Sequence, residues 1–68
     1  MNVFESKCVA HYVVEGFIDN YTTAPSFTTA THEEALSEFK KRVRRDHVEV
    51  SLYWVHGTNL QLLKEVNQ

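Results

Sequence analysis

The sequence predicts an α+β domain of ββαββ order, an antiparallel sheet with one helix packed on one face. Three observations predict it: two stretches of alternating hydrophobicity, a capping signal that opens one helical stripe, and a His56-Gly57-Thr58-Asn59 turn before a final apolar run. Sixty-eight residues suffice for one domain spanning 1–68. A chain of this length buries only about 60% of the surface its unfolded form exposes.

The first strand is expected over Lys7–Ile18, where Val9, Val13, Val14, Phe17 and Ile18 supply β-branched and aromatic side chains. Alternation separates Cys8, Ala10, Tyr12, Val14 and Gly16 from Val9, His11, Val13, Glu15 and Phe17. The first set is uncharged and is assigned to the buried face. Asp19 to Pro25 reads as a loop, after which Ser26–Ala30 returns as a short strand with Phe27 inward.

Thr31-His32-Glu33-Glu34 is a capping box, in which the Thr31 hydroxyl accepts from the Glu34 amide and Glu34 reaches back. Leu36, Phe39 and Val43 follow on one apolar stripe, with acids early and bases late as the helix dipole favours. The helix is expected to end near Arg45 or Asp46. Arg42 is placed on its flank, four residues after Glu38.

His47–Val55 is the next strand, with Val48, Val50, Leu52 and Trp54 inward and Glu49, Ser51, Tyr53 and Val55 outward. His56 to Asn59 turns the chain. Leu60–Val66 returns either as an edge strand, with Leu60 and Leu62 inward and Lys64 discouraging further pairing, or as a short helix capped by Thr58 or Asn59.

Composition narrows the function classes. A hydrophobic fraction of 43%, with eight aromatics, two glycines and one proline, fits a folded core. Cys8 is the only cysteine, so no disulfide forms within the chain, and a lone thiol fits a reducing compartment. The N-terminal residues lack a basic region followed by an apolar run, and apolar stretches fall well short of the about 20 residues a membrane span needs. The expected location is cytoplasmic, and no membrane association is expected.

Cys8 with His11, His32, His47 or His56 offers a thiol–imidazole pair, but Cys8 falls in the uncharged strand set and no glycine-rich turn supplies an oxyanion hole. No zincin, kinase or nucleotide-binding motif is present. His11, His32, His47 and His56 are dispersed without metal-ligand spacing. Glu33, Glu34 and Glu38 sit where a helix N-terminus favours acids for dipole reasons alone. The expectation is therefore a non-enzymatic protein with no cofactor and no metal.

Charge is divided in two. Residues 32–45 hold five cations and three carboxylates, net +2, while the rest of the chain holds two cations and six carboxylates, net −4. With the helix over Tyr12, Val14, Leu52 and Trp54, the opposite sheet face presents Val9, Val13, Phe17, Tyr53, Val55 and Leu63 beside His11, Glu15, Glu49 and Glu65. An outer face that mixes apolar area with acids is how protein-binding surfaces look, unless Val3 and Phe4 fold across it. The candidate partner-binding residues are Val13, Glu15, Phe17, Glu49, Tyr53 and Val55. An alternative is nucleic-acid binding by the basic run, through Lys41, Arg44 and Arg45. A third reading is a homodimeric structural module joined through the outer face or the edge strands.

The order of strand, loop and short strand, then Thr31-His32-Glu33-Glu34-Ala35-Leu36, then Val48-Glu49-Val50, resembles phage inhibitors of bacterial RNA polymerase. Size and mixed build are similar to several anti-CRISPR proteins. Phe4-Glu5-Ser6-Lys7, Ala35, Phe39 and Leu52-Tyr53 are similar to the small non-structural protein of microviruses, whose acidic proline-containing segment this chain lacks. The resemblance implies a phage accessory protein of the host cytoplasm that works without cofactors. Such proteins inhibit a host protein or protein–nucleic-acid complex, such as a CRISPR effector or RNA polymerase, by occluding its surface.

Overall fold

The computed structural model describes residues 9–68, in which five elements run β1 (His11–Phe17), β2 (Phe27–Thr29), α1 (His32–Arg44), β3 (Glu49–His56) and β4 (Asn59–Asn67). The strands form one antiparallel sheet of order β2-β1-β3-β4, and α1 packs over β2, β1 and β3. This is the expected α+β, ββαββ arrangement. The readings of Val3, Phe4, Lys7 and Cys8 lie outside the described residues.

β1 is shorter than the alternation suggested. Its last pair toward the N-terminus is His11 with Val55, and the β3–β4 turn begins two residues later, so Val9 and Ala10 have no backbone partner on β3. Ala10, expected inward, is exposed. Tyr12 and Val14 do face the helix, and Val14, Val50, Leu52, Ala35 and Phe39 form the core. Phe27, Leu36, Val43 and Val66 pack around its rim.

Gly16 is buried at φ +150°, a backbone state that side-chain-bearing residues rarely adopt. A Cβ there would lie 2.0 Å from the Glu49 carbonyl oxygen. Its own carbonyl accepts from the Ala24 amide at 2.9 Å, and Ile18 donates to Thr22 at 2.8 Å. The Asp19 carboxylate closes the intervening turn by accepting the Tyr21 and Thr22 amides, both at 2.8 Å. Those bonds, the Tyr21 amide foremost, hold the Asp19 carboxyl below its ordinary range.

At the start of α1, Thr31 Oγ1 accepts from the Glu34 amide at 3.4 Å, as expected of its cap. Glu34 does not reach the Thr31 amide, which the Thr29 hydroxyl takes instead. Its carboxylate accepts from the hydroxyls of Thr29 at 2.6 Å and Thr31 at 2.8 Å, and these bonds lower its pKa. One carboxylate thus joins the β2 end to the helix cap. At the other end the His47 amide bonds the Arg42 carbonyl and the Asp46 amide bonds the Val43 carbonyl, with Asp46 at φ 60°. That is a Schellman closure with aspartate in the place glycine usually fills.

Arg42 corrects the sequence reading most. It lies not on a flank but in the interface, 7% exposed. Its Nε donates to Glu38 at 2.9 Å, while the two terminal nitrogens donate to the carbonyls of Val14 and Pro25. The apolar stem passes beside the core and the fork ties helix, β1 and the approach to β2 together.

β4 is a strand, and the helical spacing of Leu60, Leu63 and Val66 is overridden by pairing. A two-residue Gly57-Thr58 turn, with Gly57 at φ 63°, sets Asn59 opposite His56. Leu60 then falls opposite Val55 and Leu62 opposite Tyr53, on the outer face rather than the buried one expected. A register shift leaves Leu63 unpaired, so it is not the regular outer-face residue that alternation suggested. Beyond the shift Val66 meets Val50 on the helix side, and the Lys64 ammonium lies 5.9 Å from the Phe39 ring centre.

Three substitutions test these geometries. Gly16→Ala should destabilise the fold by about 3 kcal/mol or more, since backbone strain and overlap act together; urea melts measure it, and a loss under about 1 kcal/mol would contradict the close approach. Arg42→Ala should cost about 2–4 kcal/mol by leaving two carbonyls and Glu38 without their donor, partly offset by water reaching Glu38. Burial raises the Glu38 pKa, but the Arg42 hydrogen bond and the charges of Lys41 and Arg42 outweigh it, so it ends below its ordinary 4.5. Its contribution is then present above about pH 4.5 and disappears as pH falls through the lower folded value. Glu38→Gln should flatten the acid limb of stability against pH, and an unchanged limb would show that other carboxylates govern it.

Candidate sheet-face docking site

The outer face follows from strand register. Residues directly opposite on antiparallel strands share a face, so pairing assembles rows across β1, β3 and β4. From the turn end these are His11–Val55–Leu60, then Val13–Tyr53–Leu62, then Glu15–Ser51–Glu65, then Phe17–Glu49–Asn67. The first two rows are largely apolar, and the third and fourth hold three carboxylates. Among the described residues no helix or strand packs on this face.

All six sequence-derived partner-binding residues lie on it. Val13, Glu49, Tyr53 and Val55 are half-buried, Glu15 is exposed and Phe17 is 40% exposed. The rows separate them into an apolar group (Val13, Tyr53, Val55) and an acidic group with an aromatic ridge (Glu15, Phe17, Glu49). Val9 is exposed but lies before β1, outside the regular rows.

Two depressions flank Phe17. One, of about 190 Å³, has Glu15, Glu49, Ser51 and Tyr53 on the sheet side and Thr23, Ala24 and Ser26 on the returning loop. The other, of about 300 Å³, lies at the sheet end between Phe17, Asp19, Asn20, Val48, Glu49 and Gln68. Phe17 and Glu49 border both. The Ser26 hydroxyl donates to Glu15 Oε2 at 3.1 Å, fixing that carboxylate at the mouth of the first. Gly16 creates this relief, because its unusual backbone state lets the loop after β1 fold back alongside the strand.

Sequence reading missed Ser51, Ser26 and the two leucines of β4. Ser51 is 3% exposed although it faces outward, at the centre of the acidic row. The signal that was available is Gly16 itself, since a glycine inside a strand pattern marks a bulge or a close backbone approach.

The basic run is divided by the fold. Arg42 is consumed in the interface, and Lys41 Nζ lies 3.5 Å from Glu38 Oε1. Lys41, Arg44 and Arg45 are exposed, and the Arg45 amide caps the helix end on the Lys41 and Arg42 carbonyls. Among the described residues no group of three or more His, Cys, Asp or Glu side chains is placed to hold a metal ion. No described helix is long and apolar enough to cross a membrane. Comparison with protein-family models, with curated proteins and with solved structures finds no match to this chain.

Proposed function

We propose that this chain acts without catalysis, by docking the outer face of its sheet on a larger protein or protein–nucleic-acid complex and occluding a surface that complex needs. The observation behind this reading is the Phe17 ridge with Glu15 and Glu49 beside it, next to the Val13, Tyr53 and Val55 patch, on one face that no described helix or strand covers. A basic groove suits it. Carboxylates spaced along two strands offer such a groove what nucleic-acid phosphates offer, and the aromatic and aliphatic neighbours supply area to bury. The resemblance to phage inhibitors supports the same mode, with a host transcription or CRISPR complex as the class of target.

The basic end of α1 is the competing surface for nucleic acid. With Arg42 buried and Lys41 beside Glu38, it offers fewer free cations than the sequence run suggests.

The test is a capture experiment from bacterial lysate with three tagged forms: wild type, Glu15→Lys/Glu49→Lys, and Lys41→Glu/Arg44→Glu/Arg45→Glu. Circular dichroism first establishes that all three fold. The complex retained by the wild type should be lost with the acidic-face variant and kept with the helix variant. The reverse pattern would transfer the function to the helix. Binding to a DNA or RNA duplex measured against salt should then show the steep negative slope of counterion release, about −0.9 per phosphate contacted.

A further inference from the structure

We infer that the β4 edge is a homodimerisation strand, on which a second copy of this chain pairs antiparallel about a two-fold axis at Gln61. This does not depend on the docking surface proposed above.

The two sheet edges differ in kind. β2 is three residues long, whereas β4 runs nine residues and is exposed along nearly its whole length. Sheet edges are ordinarily protected by shortness, charge, proline or a bulge. On β4 that protection begins only at the register shift, with Lys64 and Glu65. The preceding stretch, Asn59–Leu63, contains no charge and no proline. It also carries Leu60 at 66% and Leu62 at 47% exposure.

Backbone alternation specifies the pairing. The two-residue turn makes His56–Asn59 a hydrogen-bonded pair, so Leu60 and Leu62 occupy the non-bonded positions against β3. Their amides and carbonyls therefore point to the outer edge of the sheet, which no described strand pairs. An antiparallel copy centred on Gln61 sets Leu60 opposite Leu62 of the other copy, and the reverse, completing four backbone hydrogen bonds. Side chains directly opposite share a face. Two Leu60 and two Leu62 then cluster on the outer face against Val55 and Tyr53 of each copy. Gln61 meets its equivalent on the helix side, and the uncharged segment opposes no like charges. Such self-complementarity is what a two-fold interface demands and what a foreign strand would match only by chance.

Sedimentation over a wide range of concentrations, paired with amide hydrogen exchange, tests this. The wild type should pass from monomer to dimer mass, and the Leu60 and Leu62 amides should become at least tenfold more protected in the dimer. Leu62→Lys, at a position exposed in the monomer, should keep its circular dichroism spectrum and remain monomeric. Leu60→Pro removes an amide that pairs with no described residue of the monomer, and should also abolish association. A wild type monomeric throughout would overturn the inference and leave the edge to a foreign strand. A dimer whose Leu60 and Leu62 amides stay unprotected would overturn it in favour of face-to-face packing. Glu15→Lys/Glu49→Lys should dimerise normally, which separates this result from failure of the docking proposal.

Discussion

The fold depends on the buried guanidinium of Arg42. Its core of Val14, Ala35, Phe39, Val50 and Leu52 is small, and apolar packing alone fixes the position of a helix on a sheet only loosely. Arg42 adds direction. Its fork reaches Glu38 on its own helix, the Val14 carbonyl on β1 and the Pro25 carbonyl before β2. Burying a charge costs free energy that the ion pair recovers only with good geometry, so the group need not raise net stability. What it provides is specificity, because any other placement of α1 takes the terminal nitrogens of a buried cation away from the Val14 and Pro25 carbonyls and leaves them only Glu38 of their own helix.

That placement decides what each sheet face can do. With α1 held over β2, β1 and β3, the inward rows are committed to the core, and among the described residues no helix or strand covers the outward rows. Glu15 and Glu65 flank Ser51 from neighbouring strands, two strand spacings or about 10 Å apart. At that distance in water, like charges repel by only about 0.4 kcal/mol. The acidic row is therefore inexpensive to maintain, yet among the described residues its one side-chain tie to the fold is the exposed hydrogen bond from Ser26 to Glu15. Departures from local stability rules that bring no structural gain are where function is expected.

How much of this was legible in the sequence follows from what each signal measures. The capping box and the apolar stripe gave α1 because both are local properties of one helix. Alternation gave the outward set on β1 and β3 because both strands pair regularly along their length. β4 was expected as an edge strand and is one, but its side-chain facing was misjudged, because that facing is set by the Gly57-Thr58 turn and then reversed by a register shift, and neither appears in a count of apolar spacings. Arg42 failed for a different reason. Its spacing from Glu38 describes an exposed pair as well as a buried one, and the carbonyls it meets are 17 and 28 positions away in the chain. Gly16 was assigned to the correct face, while the approach of the Glu49 carbonyl that makes it necessary is tertiary.

The register shift in β4 links the two surfaces. Without it, Val66 could not turn inward toward Val50 while Leu60 and Leu62 turned outward, so the hairpin would lose either its core contact or its apolar tip. The shift divides the strand into a guarded half that closes the monomer and an unguarded half, Asn59–Leu63, that is exposed throughout. Pairing through the unguarded half about an axis perpendicular to the sheet would place both outer faces on one side of an eight-stranded sheet. The Glu15–Glu49 depressions would then point the same way from its two halves. A target with two basic grooves at that spacing would meet the second site at high effective concentration, and weak docking at each depression would suffice for occlusion.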